Sequence, residues 1–105
     1  MDPYDLFTEA LAAGFEDGYK DALETIDKAL YLSKTLDDPE KKSLFLVFKA
    51  LALNRLKRDT EALDCIEEAI KLQKNDPFSW DIKGDLLHEL GKYEESLTAY
   101  ENSIK

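Results

Sequence analysis

Three segments of the chain set apolar and small residues at the offsets i, i+3, i+4, i+7, i+10 and i+11, the stripe of a helix packed along one side. In the last segment these residues are Tyr93, Ser96, Leu97, Tyr100, Ser103 and Ile104. Moving back 34 residues gives Asp59, Ala62, Leu63, Ile66, Ala69 and Ile70, and moving back a further 40 gives Tyr19, Ala22, Leu23, Ile26, Ala29 and Leu30. The same shifts relate Leu6, Ala10 and Ala13 to Leu46, Ala50 and Leu53, and then to Trp80, Gly84 and Leu87. Each of these triplets has a small residue at its centre, where a second helix could approach closely. Gly84 costs about 1 kcal/mol of helix propensity relative to Ala, which points to a packing reason for it.

Punctuation follows the same period. Each proline follows an aspartate, in Asp2-Pro3, Asp38-Pro39 and Asp76-Pro77. Asp accepts from the free N–H groups at a helix start, and Pro in the first turn loses no needed donor. Between the two stripes of each unit lies a short turn: Glu16 to Gly18, Lys57 to Asp59, and Gly91-Lys92. A glycine there can take the left-handed conformation that ends a helix and reverses the chain. The pattern predicts six helices in three antiparallel hairpins: about 3–15 with 19–34, 39–56 with 60–74, and 77–90 with 93–105. The connection Thr35 to Lys42 holds the six residues by which 40 exceeds 34. No strand alternation and no long linker interrupts the series, so one all-α domain over 1–105 is expected, with units at about 3–42, 43–76 and 77–105. A hairpin cannot bury its apolar face alone, so neighbours must stack.

A helix–turn–helix unit of 34 residues with these signatures resembles the tetratricopeptide repeat. The third unit carries the most of it, in Trp80, Gly84, Leu87, Gly91, Tyr93, Ser96, Tyr100 and Ser103. The second has Lys57 and Asp59 where Gly and Tyr are usual; the first keeps Leu6, Ala10, Ala13, Tyr19, Ala22, Ile26 and Ala29. The resemblance implies a right-handed α-solenoid whose first helices line a concave groove, and a non-catalytic module that binds a peptide or helix of a partner protein. On that reading the groove is lined by Tyr4, Phe7, Leu11 and Phe15, by Leu44, Val47, Phe48, Leu51 and Arg55, and by Phe78, Asp81, Ile82 and Asp85. Two readings of its apolar residues stay open. Either the helix at 39–56 is buried on most sides, or Phe7, Leu11, Val47, Phe48 and Leu51 form an apolar channel for a partner. Some tetratricopeptide domains clamp a terminal carboxylate with Lys, Asn and Arg. Here the clamp positions hold Phe7, Leu11, Phe48, Phe78 and Ile82, so an acidic tail is not the expected ligand. Asp81, Asp85 and Glu89 favour a partner with basic residues beside its apolar anchors.

Charge narrows the classes further. Asp and Glu number 23 against 14 Lys and Arg, a formal net charge of −9 in 105 residues. That charge repels phosphate backbones and anionic bilayers, so neither nucleic acid nor membrane is an expected partner. The start has no basic and apolar leader pattern, and the longest apolar run, Leu44 to Phe48, is far too short to span a bilayer. A single cysteine, Cys65, excludes an internal disulfide and fits a reducing compartment, so a cytoplasmic protein is expected. Cys65 lies beside a core stripe and reads as a half-buried thiol. Glu67-Glu68 and Glu94-Glu95 read as solvated faces. His88, the one histidine, could serve as a base with Asp85 or Glu89, but a lone rim histidine is more often a packing or solvated residue. No phosphate loop, calcium loop or zinc spacing is present, so no cofactor or metal is expected. Two alternatives to hetero-partner binding stand: self-association through the groove or the stack end, and a small all-α enzyme using His88. The stripe of Leu97, Tyr100 and Ile104 has no following hairpin within the 105 residues, which predicts either a natural chain that continues or pairing at this end.

Overall fold

The computed structural model of the protein describes residues 18–32 and 38–104. These form five helices: α1 Tyr19–Leu32, α2 Pro39–Arg55, α3 Asp59–Leu72, α4 Pro77–Glu89 and α5 Tyr93–Ile104. No strand occurs among the described residues. The five helices match five of the six expected ones to within two residues at almost every end. The helix expected at 3–15 lies outside the described residues, as do the Asp2-Pro3 start and residues 35–37 of the 35–42 connection.

Both described Asp-Pro starts are capped as the chemistry requires. The Asp38 carboxylate accepts from the Lys41 backbone N–H at 3.1 Å with Pro39 in the first turn. The Asp76 carboxylate accepts from the Phe78 N–H at 3.1 Å and from the Ser79 hydroxyl at 2.9 Å. The turns of the second and third hairpins share one hydrogen-bond pattern. Arg58 N–H donates to the Leu53 carbonyl and Lys57 N–H to that of Asn54; 34 residues on, Lys92 N–H donates to Leu87 and Gly91 N–H to His88. This is the paired six-to-one and five-to-two closure of a helix end. It needs a left-handed residue at its apex. Gly91 supplies one at φ 79°, and Lys57, where the third unit has glycine, supplies the other at φ 65°. The substitution of Lys for Gly thus leaves the turn unchanged and puts backbone strain in it.

The small residues at the stripe centres do what their size suggests. Ala50 is fully buried. A methyl group placed on Gly84 would lie 2.5 Å from Tyr100 Cε1, so the α5 ring occupies the space that any side chain would fill. The Ser96 hydroxyl donates to the Gly84 carbonyl at 2.7 Å and closes α5 onto α4. The core runs through the hairpins, with Leu23 of α1, Leu46, Val47, Ala50 and Leu53 of α2, Ala62, Ile66 and Ala69 of α3, and Ile82 and Leu86 of α4. A smaller cluster holds Ala29 and Phe45, with Leu30 and Phe48 packed against it. No helix among the described residues is long and apolar enough to cross a membrane.

Candidate functional site

The carboxyl-terminal halves of α2 and α4 run side by side and leave between them a cleft of about 250 Å³. Its floor is apolar: Ile82 and Leu86 are buried and Leu51 half-buried. Its walls are charged and exposed, with Arg55 from α2 and with Asp85, His88 and Glu89 from α4. Asn54 reaches across it. Its amide donates to Glu89 Oε2 at 2.6 Å and to Asp59 Oδ1 at 2.9 Å, which ties α2 to both following helices. The Asp85 carboxylate also accepts a hydrogen bond from the Tyr100 hydroxyl of α5. That bond, then burial, pushes the Tyr100 phenol from 10.0 up to about 12, and the Asp81 charge adds to the shift.

The structure brings Leu51, Arg55, Ile82 and Asp85 of the expected groove into this one cleft. It places the others differently. Val47 is 1% exposed and sits in the core with Ile82 and Leu86, so it does not line a surface; the neighbouring hairpin covers it. Phe48 is half-buried against the Ala29–Phe45 cluster. Leu44 and Phe78 are exposed near the starts of α2 and α4, away from the cleft, and Asp81 is exposed on α4. Tyr4, Phe7, Leu11 and Phe15 lie outside the described residues. Burial therefore combines the two readings of α2: Phe45, Leu46 and Val47 are core, while Leu51 and Arg55 reach the cleft. Asn54 and Glu89 occupy groove positions in the repeat register, and both lie at this cleft. Leu86 and the Tyr100 link were not among the expected site residues, and the Tyr100–Asp85 bond has no signal in spacing alone.

A second crevice of about 390 Å³ is bounded by Leu63 and Glu67 of α3, by Trp80, Lys83 and Leu87 of α4, and by the start and middle of α5. Trp80 stands where α3 also closes on the third hairpin: its indole N–H donates to the Lys74 carbonyl at 2.9 Å, and Lys83 lies 5.3 Å from its ring centre. Glu67, read as solvated, is half-buried and pairs with Lys83 at 3.8 Å. Its neighbour Glu68 and the pair Glu94-Glu95 are exposed. His88 is exposed and packs edge-on against Tyr93, 5.1 Å between ring centres. Cys65 is half-buried, and that burial pushes its thiol up.

The family model described as Anaphase-promoting complex, cyclosome, subunit 3 matches residues 16–103. The TPR repeat-containing protein MJ0940 of Methanocaldococcus jannaschii is 32% identical over 88 residues, which make up 82% of this chain and 27% of that protein. The chain thus spans about a quarter of that relative's length. Three solved structures share the fold at a TM-score of 0.85. The second TPR of Spaghetti (RPAP3) bound to the HSP90 peptide SRMEEVD is 18% identical, with 99% of this chain and 91% of that chain covered. The Sgt2 TPR domain from Aspergillus fumigatus is 22% identical, with 97% and 64% covered. MamA is 12% identical, with 98% and 57% covered.

Proposed function

The chain belongs to the tetratricopeptide-repeat proteins, within the family of anaphase-promoting complex, cyclosome, subunit 3, and from that premise we propose that it is a non-catalytic module that holds a helix or peptide of a partner protein in the cleft between α2 and α4. One observation carries this reading. An apolar floor of Leu51, Ile82 and Leu86 lies between a cationic wall at Arg55 and an anionic one at Asp85 and Glu89. Such a cleft takes an apolar anchor and orients it by charge on either side. The family's description as a subunit of a complex supports a role in assembly, as does the peptide bound to the Spaghetti repeat.

That peptide, SRMEEVD, ends in acidic residues. The present cleft faces such a tail with Asp85 and Glu89, and α2 and α4 carry Phe48, Phe78 and Ile82 where a carboxylate clamp would stand. The proposed ligand is therefore an apolar segment with Lys or Arg beside its anchor residue. Titration of the chain against an array of amphipathic peptides, basic and acidic, tests this. Basic-apolar peptides are expected to bind and to lose about tenfold in affinity to Asp85→Arg, about 1.4 kcal/mol. Preference for acidic peptides, or binding indifferent to both Asp85→Arg and Arg55→Glu, overturns the reading.

A further inference from the structure

The two carboxylates on the α4 wall of the cleft are each half engaged. Asp85 Oδ1 accepts from the Tyr100 hydroxyl of α5, and Glu89 Oε2 accepts from the Asn54 amide of α2 at 2.6 Å. The two donors come from different helices. Each leaves the second oxygen of its carboxylate, Asp85 Oδ2 or Glu89 Oε1, without a hydrogen bond or ion pair among the described residues. Both donors keep their protons at neutral pH: an amide does not titrate there, and the bond to Asp85 pushes the Tyr100 phenol up to about 12. Arg55, the cation already in the cleft, forms an ion pair with neither carboxylate among the described residues.

This arrangement separates the two basic side chains that a ligand can bring. A guanidinium binds a carboxylate best as a fork, with two N–H groups on the two oxygens of one group. At Asp85 and at Glu89 such a fork meets one oxygen that already accepts from the protein. An ammonium is a compact charge with three rotatable donors, and it needs only one oxygen from each of two neighbours. Asp85 and Glu89 stand four residues apart on α4, so they are neighbours on one face, about 5–6 Å between Cβ atoms. Their free oxygens offer an ammonium that pair.

The geometry points to lysine, not arginine, as the basic residue that this cleft selects: the ligand's ammonium sits between the free oxygens of Asp85 and Glu89 while its apolar anchor rests on the floor of Leu51, Ile82 and Leu86. Tyr100 and Asn54 are the positioning residues that set the choice, each by holding one oxygen of a carboxylate. Tyr100 lies on α5 and is not among the residues that line the cleft, so it acts on the ligand only through Asp85. The inference rests on the cleft reading above and narrows its ligand from either basic residue to one.

The probes are two capped amphipathic peptides of one sequence, an apolar anchor with one basic position beside it, filled by Lys in one and by Arg in the other. Each is titrated into the 105-residue chain with amide shifts followed by NMR. The lysine peptide is expected to bind about tenfold more tightly, on the scale of one charge-assisted hydrogen bond. Tyr100→Phe keeps the ring that fills the space beside Gly84 and frees Asp85 Oδ1. It is expected to bring the two affinities within about twofold of each other, chiefly by strengthening the arginine peptide. Asn54→Ala makes the same change at Glu89 and serves as the second variant. A purely structural role for Tyr100 or Asn54 moves both peptides together and leaves their ratio alone. Trimethylating the peptide's lysine keeps its charge and removes its donors, and is expected to weaken binding by about tenfold. Equal affinities in the parent, tighter binding of the arginine peptide, a ratio that neither variant moves, or indifference to trimethylation would each overturn this inference and leave the cleft reading standing. Absence of shifts at Leu51, Ile82 and Leu86 with either peptide would overturn the cleft reading, and this inference with it.

Discussion

At the scale of single residues, repetition lets one unit serve as the control for another. Lys57 and Gly91 occupy the same apex in the same hydrogen-bond pattern, yet only one of them is a residue at ease there. A left-handed non-glycine residue costs about 1–2 kcal/mol, and glycine returns about 0.5–1 kcal/mol of that through its looser unfolded chain. Lys57→Gly is therefore expected to stabilise the protein by about 0.5–1 kcal/mol, read as a higher denaturation midpoint with unchanged slope. Tyr100 offers a second test. Its phenol holds its proton up to about 12, against 10.0 in the unfolded chain, because Asp85 accepts its hydrogen bond. The folded state binds that proton more tightly, so the stabilisation is fully present below pH 10 and is lost as pH rises toward 12. Ultraviolet titration should show one tyrosine ionising late. Tyr100→Phe should remove both that late step and the associated fall in stability, whose size solvent screening at the surface reduces.

At the scale of elements, the stripes, the Asp-Pro starts and the reversing turns were legible because each rests on interactions within a few residues. The helix ends follow from caps at Asp38 and Asp76 and from closures at Lys57 and Gly91, all local. Gly84 was legible as a packing glycine because its propensity cost needed a cause, and the Tyr100 ring is that cause. Contacts between units were less so. Glu67 read as solvated because its lysine lies sixteen residues ahead on another helix. Val47 read as groove because the resemblance assigns a face to each first helix without saying what covers it. Trp80 likewise reaches beyond its own hairpin, its indole N–H donating to the Lys74 carbonyl. Its half-buried position sets the expectation for its removal. A fully buried large aromatic costs about 3–5 kcal/mol on truncation to Ala. Trp80→Ala should cost about 2–3 kcal/mol: less transfer free energy, but with loss of the 2.9 Å hydrogen bond and the Lys83 contact. Urea denaturation followed by circular dichroism measures it, and a loss below about 1 kcal/mol would mean that the ring does not hold α3 to the third hairpin.

At the scale of the whole molecule, the same helix serves as core and as binding wall, and the boundary between the two runs across α2. Phe45, Leu46 and Val47 face buried clusters, Phe48 leans on the smaller one, and one to two turns later Leu51 and Arg55 open onto the cleft. Charge introduced on either side of that boundary should therefore fail in different ways. Phe48→Glu puts a carboxylate against the apolar cluster of Ala29 and Phe45. The lost packing and the desolvated charge together should cost about 3 kcal/mol or more, seen as a lower melting temperature and less helix signal. Arg55→Glu changes an exposed wall and should leave the melting temperature within about 2 °C of the parent, a shift corresponding to a fraction of a kcal/mol for a chain of this size. Its effect should fall on ligand choice. With a carboxylate replacing the guanidinium opposite Asp85 and Glu89, the cleft becomes acidic on both walls, and its preference for basic peptides should rise. Equal melting temperatures for the two variants would place Phe48 on the binding surface. A large destabilisation by Arg55→Glu would place the cleft wall in the structural core instead.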